Sequence, residues 1–167
     1  AGIHMASGDY VSNVDCDVAL HPDAVLNIVK AFESDPKLSA ATGAIEIAPV
    51  AVDGRTTPLH FAWECEFVEY FSAFRIGRQS QTLMNSVLTL AGAFSFVRRE
   101  ALFNLPQYSN RTVSEDTEIS FSLREWFPDA VIACLNQAIA YVERSALSPL
   151  STLKESDANG ARLKWAP

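Results

Sequence analysis

The chain has 167 residues, 49% of them hydrophobic and 20% charged, with a formal net charge of −7. That length fits one domain, or a large part of one, with enough apolar material for a sizeable core. The acidity gives no electrostatic reason to bind nucleic acid unaided, and no apolar run reaches the ~20 residues a bilayer span requires. Three cysteines, Cys16, Cys65 and Cys134, are odd in number and widely spaced. They form neither a disulfide framework nor a zinc pattern and read as reduced thiols in a cytosolic compartment.

Residues 9–14 read as a short strand that delivers Asp15-Cys16-Asp17. In extended chain, residues i and i+2 share a side. Asp15 and Asp17 would then converge on one cation, and Cys16 would turn the other way into the core. Paired carboxylate oxygens suit Mg²⁺ or Mn²⁺, and a metal so held commonly carries a diphosphate. Read alone, two acids are better taken as capping the loop that follows; a second acidic motif, about a hundred residues on, overturns that reading. His21 reads as a loop histidine beside a helix, with a position facing the metal as the alternative. Pro22-Asp23 open that helix, with proline and an acid in the first turn. Val25, Ile28, Val29 and Phe32 give it one apolar face, and Asp35-Pro36 ends it. Leu38 to Ala48 is strand-like, with Gly43 marking a bulge or a close approach. Residues 52–58, around Asp53-Gly54, read as a loop or hairpin turn.

A long helical pattern runs from His60 to Arg75. Phe61, Cys65 and Val68 mark one stripe; Trp63, Phe67, Tyr70 and Phe74 mark another. A helix apolar on two sides is buried on both or meets a partner. Leu88 to Val97 is extended, or a turn and strand around Ala91-Gly92-Ala93. Glu115 to Phe127 is a helix with Ile119, Leu123, Trp126 and Phe127 inward. Ala130 to Val142 is a strand, and residues 148–165 are helical in part. The alternation predicts an α/β fold with a mixed sheet.

A second acidic motif, Ser114-Glu115-Asp116-Thr117-Glu118, opens the helix before the last strand. Ser114 is a good N-cap, which puts Glu115 and Asp116 in the first turn, where the helix dipole favours their ionised forms. An ionised carboxylate at a pocket mouth can take a proton from an attacking hydroxyl. Acids also enrich helix starts that have no chemistry to perform. Arg98-Arg99, between the two motifs, read equally well as solvated surface charge.

In chain order, Asp15-Cys16-Asp17, the helix opening at Pro22-Asp23, Gly92-Ala93-Phe94 with Arg98-Arg99-Glu100-Ala101-Leu102, and Ser114 to Glu118 resemble the membrane-associated family 2 glycosyltransferases. That family includes the synthases of cellulose, hyaluronan and poly-N-acetylglucosamine and related exopolysaccharide enzymes. The resemblance covers nearly the whole chain. It implies a partial GT-A fold, a mixed sheet flanked by helices. Residues 1–167 would form the C-terminal portion of one catalytic domain, without its nucleotide-binding N-terminal half. It further implies an inverting enzyme that moves a hexose or N-acetylhexosamine from a nucleoside diphosphate sugar, first of all a UDP-sugar, to a hydroxyl of a glycan or lipid-linked acceptor. By resemblance, Asp15 and Asp17 contact the donor and its Mg²⁺ or Mn²⁺, with Asp17 the principal ligand. Asp116 matches the general base, and Gly92, Ala93 and Glu115 line the acceptor site.

The tail, residues 148–167, departs from the family. Where processive members carry Q-x-x-R-W, this chain reads Ala161-Arg162-Leu163-Lys164-Trp165. Trp165 fits beside the acceptor, and Arg162 or Lys164 is placed to contact the donor diphosphate. Ala161 supplies no amide, and Lys is no substitute for the bidentate Arg fork, so processive synthesis is not implied. The resemblance places the full-length protein at the cytoplasmic face of the cell membrane. This fragment, having no membrane span, is expected to be soluble and inactive by itself. It is also expected to self-associate through apolar surface on the Phe61 to Phe74 helix. Two other readings stand beside this one. A degenerate transferase domain would serve as a binding or assembly module. In a haloacid-dehalogenase-type phosphatase, Asp15 would be the nucleophile and Asp17 the acid/base, though Ala19 and the helix start at Ser114 fit that pattern poorly.

Overall fold

The structure, a computed structural model, describes residues 5–48, 58–105 and 115–142. Among these, strands β1 (Tyr10–Val14), β2 (Val18–Leu20), β3 (Leu38–Ile47), β4 (Phe94–Arg98) and β5 (Val131–Val142) form one mixed sheet in the order β1-β4-β3-β5-β2. β3 is antiparallel to β4 and parallel to β5, while β1 and β2 close the two edges antiparallel to β4 and β5. The centre falls to β3 because its sequence, Leu-Ser-Ala-Ala-Thr-Gly-Ala-Ile-Glu-Ile, is small or apolar on both faces as far as Ile45 and is buried throughout from Ala40 to Ile45. A strand covered on both sides needs that composition. The expected α/β fold with a mixed sheet is the one observed.

Helix α1 (Ala24–Ser34) packs on the sheet through Ala24, Ile28 and Phe32. Val25, expected on that face, is 43% exposed. The buried stripe is centred on Ile28, with Ala24, Ala31 and Phe32 around it, and Val25 falls on its flank. His21 accepts the Asp23 N–H at Nδ1, 3.2 Å away, in the turn before α1.

The C-terminal end of α1 is held by Arg98, which is half-buried and not solvated charge. Its Nη2 donates to the Phe32 and Asp35 carbonyls at 2.7 and 3.3 Å, its Nε to the Leu38 carbonyl at 2.9 Å, and its guanidinium lies over the Tyr10 and Phe32 rings. The Phe32 carbonyl is one that a helix end leaves without an intrahelical partner, and the Leu38 carbonyl belongs to the start of β3, so Arg98 ties the end of the helix to the sheet. Arg98→Lys should therefore cost about 1.5–3 kcal/mol in urea denaturation, because one ammonium cannot reproduce the planar fork. A change below about 0.5 kcal/mol would show the cap to be dispensable.

The long helix runs past the expected end at Arg75. Helix α2 (Pro58–Tyr70) continues into a π-helical stretch, Phe71–Arg78, and then into α3 (Gln79–Leu83). Of its two apolar stripes, the one carrying Phe74 meets the sheet, and Trp63 donates its indole N–H to the Ala48 carbonyl at 3.1 Å. Phe61, Val68 and Phe71 are exposed. No helix of the described residues is long and apolar enough to cross a membrane. On the other face lie α4 (Arg99–Phe103) and α5 (Glu115–Trp126), packing Leu102 and Leu123 against Ala40, Val87, Leu90, Val97 and Ile132. Trp126, expected inward, is 56% exposed. The inner stripe of α5 passes through Ser120, Leu123 and Phe127, and Trp126 stands about 100° round from the last of these.

The sheet is not flat. β1 and β2 sit at opposite ends of the strand order yet are joined only by Asp15-Cys16-Asp17. Four Cα steps reach at most ~15 Å, whereas five flat strands would separate their edges by ~19 Å. The sheet must curl to bring its edges together. The bend has an identifiable place: Gly43 pairs with Leu135 and Ala44 with Ile139, so Asn136, Gln137 and Ala138 bulge from β5. A bulge bends and twists its strand. Its carbonyls are satisfied by side chains, that of Gln137 by Asn27 Nδ2 at 2.7 Å and that of Asn136 by Arg75 Nη1 at 2.7 Å.

Candidate active site

The Asp15-Cys16-Asp17 motif is the closure point of the curled sheet. It forms a tight turn in which the Val18 N–H donates to the Asp15 carbonyl at 3.2 Å. The alternation of an extended strand does not apply here, because the strand ends at Val14. Asp15 and Asp17 are both exposed, and so is Cys16, which was expected in the core. In a turn, all three side chains reach solvent on the outside of the reversal.

A second tight turn meets the first. After residues 86–91, which belong to no helix or strand, Gly92 and Ala93 reverse the chain, closed by the Phe94 N–H donating to the Ala91 carbonyl at 3.1 Å. Buried Thr42 on β3 fastens it from below. Its hydroxyl donates to the Phe94 carbonyl at 2.9 Å and accepts the Ala91 N–H at 3.2 Å. From the β1 side, Asn13 donates its amide to the Gly92 carbonyl at 2.8 Å, and the Asp15 N–H donates to the Ala93 carbonyl at 3.2 Å. From the α5 side, Asp116 Oδ2 accepts the Gly92 N–H at 3.1 Å. A Cβ on Gly92 would lie 3.3 Å from that same oxygen, so glycine gives the carboxylate its close approach.

Asp116 is held further by its own helix turn. Its Oδ1 accepts the Thr117 N–H at 2.7 Å, and the Thr117 hydroxyl shares a hydrogen bond with that of Thr89 at 2.9 Å. The Ser120 hydroxyl donates to the Asp116 carbonyl at 2.8 Å, and its oxygen accepts the Leu90 N–H at 3.0 Å, tying α5 to the segment that leads into the turn. The Arg124 guanidinium does likewise at the Val87 carbonyl, 3.0 Å from Nη2. The structure thus brings Asp15, Gly92, Ala93 and Asp116 onto one turn, with Asp17 two residues from Asp15. Asn13, Thr42, Thr89 and Thr117 complete that arrangement. Of these, Thr117 stood inside an acidic motif and Asn13 in the strand leading to the other, but neither was read as a site residue. Ser114, the Glu115 side chain, Ala161, Arg162, Lys164 and Trp165 lie outside the described residues.

Among the described residues, no group of three or more His, Cys, Asp or Glu side chains is arranged to hold a metal ion. Asp15 and Asp17 form a sparse, exposed pair of hard oxygen donors. Such a pair suits Mg²⁺ or Mn²⁺, which keep several water ligands and bind through one or two carboxylates plus substrate phosphates. Cys134, by contrast, is buried on β5, and that burial pushes its thiol up to about 11.

Comparison with known proteins gives this geometry a context. The family described as Glycosyl transferase family group 2 matches residues 10–143. A poly-beta-1,6-N-acetyl-D-glucosamine synthase of Staphylococcus aureus (strain COL) is 30% identical over 122 residues, covering 73% of this chain and 28% of that protein. The same-named synthase of Staphylococcus epidermidis is 27% identical over an equal length. Among solved structures, glucosyl-3-phosphoglycerate synthase from Mycobacterium tuberculosis with Mg²⁺ and UDP superposes with a TM-score of 0.51 at 19% identity. That match covers 91% of this chain and 46% of the other. A complex of the same enzyme with Mn²⁺, UDP-glucose and phosphoglyceric acid gives the same TM-score and identity. These likenesses show the GT-A fold. The chain spans 28% of the length of the curated relatives and under half of the solved ones.

Proposed function

We propose that this chain, which belongs to glycosyl transferase family group 2, carries the acceptor-activating and metal-binding part of an inverting sugar transferase. The observation that carries this reading is the shared turn. The Asp15 backbone and the Asp116 carboxylate are bound to adjacent residues, Ala93 and Gly92, so a donor-side motif and a candidate base meet at one place. The donor is a nucleoside diphosphate hexose or N-acetylhexosamine, a UDP-sugar first of all, and the acceptor is a hydroxyl on a glycan or lipid-linked chain. The synthases of Staphylococcus support the sugar class, and the solved complexes with UDP and Mn²⁺ or Mg²⁺ support the donor and cofactor. Membership of the family sets aside the phosphatase reading of Asp15.

Asp15 and Asp17 would hold the cation, which when bound neutralises charge on the departing diphosphate. Asp116 accepts the proton of the acceptor hydroxyl as that oxygen attacks the anomeric carbon. The bond from that carbon to the diphosphate oxygen breaks, and its electron pair leaves with the nucleoside diphosphate. Attack from the face opposite the leaving group inverts the centre. The Gly92 and Thr117 N–H groups orient Asp116 for this by holding one carboxylate oxygen each. Glu115 and Trp165 on the acceptor side, and Arg162 or Lys164 at the diphosphate, complete the proposed set. Membrane association at the cytoplasmic face, and contact with an N-terminal nucleotide-binding half of the same protein, belong to the same proposal.

The cysteines offer a direct test. Cys16 lies between the two proposed ligands and is exposed; Cys65 is exposed on α2; Cys134 is buried. In the full-length protein, Mn²⁺ with UDP should slow alkylation of Cys16 about fivefold or more and leave Cys65 unchanged, while Cys134 stays unreactive throughout. Asp17→Asn should remove both the protection and the Mn²⁺-dependent nucleotide binding seen by calorimetry, because it deletes one of very few hard ligands. Equal Cys16 reactivity with and without Mn²⁺ and UDP would count against the metal site. It would favour a degenerate domain acting as a binding module.

A further inference from the structure

Two arginines leave the π-helical stretch toward the sheet, and their charges are met differently. Arg75 pairs with Glu46, donating Nε at 2.9 Å and also Nη2, and its Nη1 goes to the Asn136 carbonyl. Arg78 is half-buried, sits 4.8 Å from the centroid of the Phe74 ring, and donates Nη1 to the Thr89 carbonyl. Among the described residues, no carboxylate forms an ion pair with it. A guanidinium has five N–H donors, and holding one partly out of water on a single carbonyl and an aromatic face is costly. Stretches of π-helix inside longer helices are themselves frequent at functional sites.

What Arg78 serves follows from what lies beyond Thr89. Thr89 shares its hydroxyl hydrogen bond with Thr117 at 2.9 Å, and the Thr117 N–H reaches Asp116 Oδ1 at 2.7 Å. Three residues after Thr89, the Gly92 N–H reaches Asp116 Oδ2 at 3.1 Å. Arg78 therefore stands behind the segment that grips Asp116 Oδ2 through Gly92 and that bonds, through Thr89, to the residue gripping Oδ1. Burial pushes its guanidinium down, against an upward pull from Cys134, were it ionised, and from Asp116. The Cys134 thiol, pushed up to about 11, is uncharged at neutral pH. That leaves the Asp116 carboxylate as the charge offsetting the burial of Arg78.

We propose that Arg78 is a positioning residue for Asp116: it fixes the Thr89–Gly92 segment, which grips the carboxylate through Gly92, against the start of α5. This rests on Asp116 being the base. The test is a cycle of Arg78→Gln, Asp116→Asn and the double variant in the full-length protein, with kcat and KM measured separately. Arg78→Gln should lower kcat about tenfold or more with the donor KM within about twofold. Arg78→Lys, which keeps the charge, should recover at least about threefold of that loss; a merely structural role would leave Lys no better than Gln. In the Asp116→Asn background, Arg78→Gln should change kcat less than about twofold, because the two act as one unit. A loss confined to KM, a Lys variant as poor as Gln, or an equal loss in both backgrounds would overturn the proposal. Normal turnover of Asp116→Asn alone would instead overturn the base assignment. Should thermal melting show Arg78→Gln unfolded, Arg78→Lys takes its place in the cycle: about a threefold lower kcat, donor KM within about twofold and no further loss in the Asp116→Asn background support the proposal, and a loss confined to KM or an equal loss in both backgrounds overturns it.

Discussion

Replacing Asp116 by asparagine in the full-length protein should lower turnover about 10²-fold or more and leave donor affinity within about twofold. Asparagine keeps the size of the side chain and one acceptor oxygen for the Gly92 N–H, 3.1 Å from the carboxylate. What it loses is basicity, which matters only as the acceptor proton moves. The expected signature is thus a fall in kcat with calorimetric binding of UDP and Mn²⁺ preserved. A variant with unimpaired kcat would mean that Asp116 serves the helix start and the Gly92 turn without taking part in chemistry. A variant that lost donor binding equally would place it on the donor side of the site.

The largest stability effect is expected at Gly43. A Cβ there would lie 2.3 Å from Phe94 Cδ1 and 2.4 Å from the Ala138 carbonyl oxygen. The ring could rotate away, but the carbonyl is backbone within the β5 bulge and cannot yield cheaply. Gly43→Ala should therefore destabilise the protein by about 3 kcal/mol or more, measured by urea denaturation. The damage should not stay local. Phe94 carries the carbonyl that Thr42 binds, and that bond anchors the Ala91–Phe94 turn. Loss of Mn²⁺-dependent UDP binding should accompany the loss of stability. A stable variant with unchanged binding would show that the bulge accommodates a methyl group.

The elements that sequence made legible are those long enough to show a period. α1, β3, α5 and β5 were all placed within a few residues, because their burial depends on repeats spread over several turns or along a whole strand. β2 and α4 were not foreseen; at three and five residues they are too short to carry a period and exist because neighbours hold them. The misplacements of Val25 and Trp126 were both rotations of a helical stripe by part of a turn. The extension of the long helix past Arg75 came from a π-helical stretch, whose wider turn breaks the 3.6-residue pattern. In the site, the acidic motifs stood out because carboxylates at a strand end and a helix start are chemically marked. Their meeting on the Gly92 turn was not readable from local spacing, since it depends on Thr42 and Asn13 reaching that turn from β3 and β1. Arg78 gave no local signal at all. Its significance depends on Thr89, which packing, not spacing, brings to it.

The central place of β3 also sets a timetable for the growing chain. Its partner on one side is β4 and on the other β5, where Leu38 pairs with Val131 and Ile47 with Val142. At ~5–20 residues per second, a ribosome needs about 5–20 s to deliver β5 after β3 has been made. Until β4 follows, this strand has α1 as its nearby cover and two unpaired edges, and until β5 follows it still has one. Such a segment is a template for pairing with another nascent chain. The same small residues that let β3 lie between two neighbours thus make it the part of this protein most dependent on chaperone protection during synthesis.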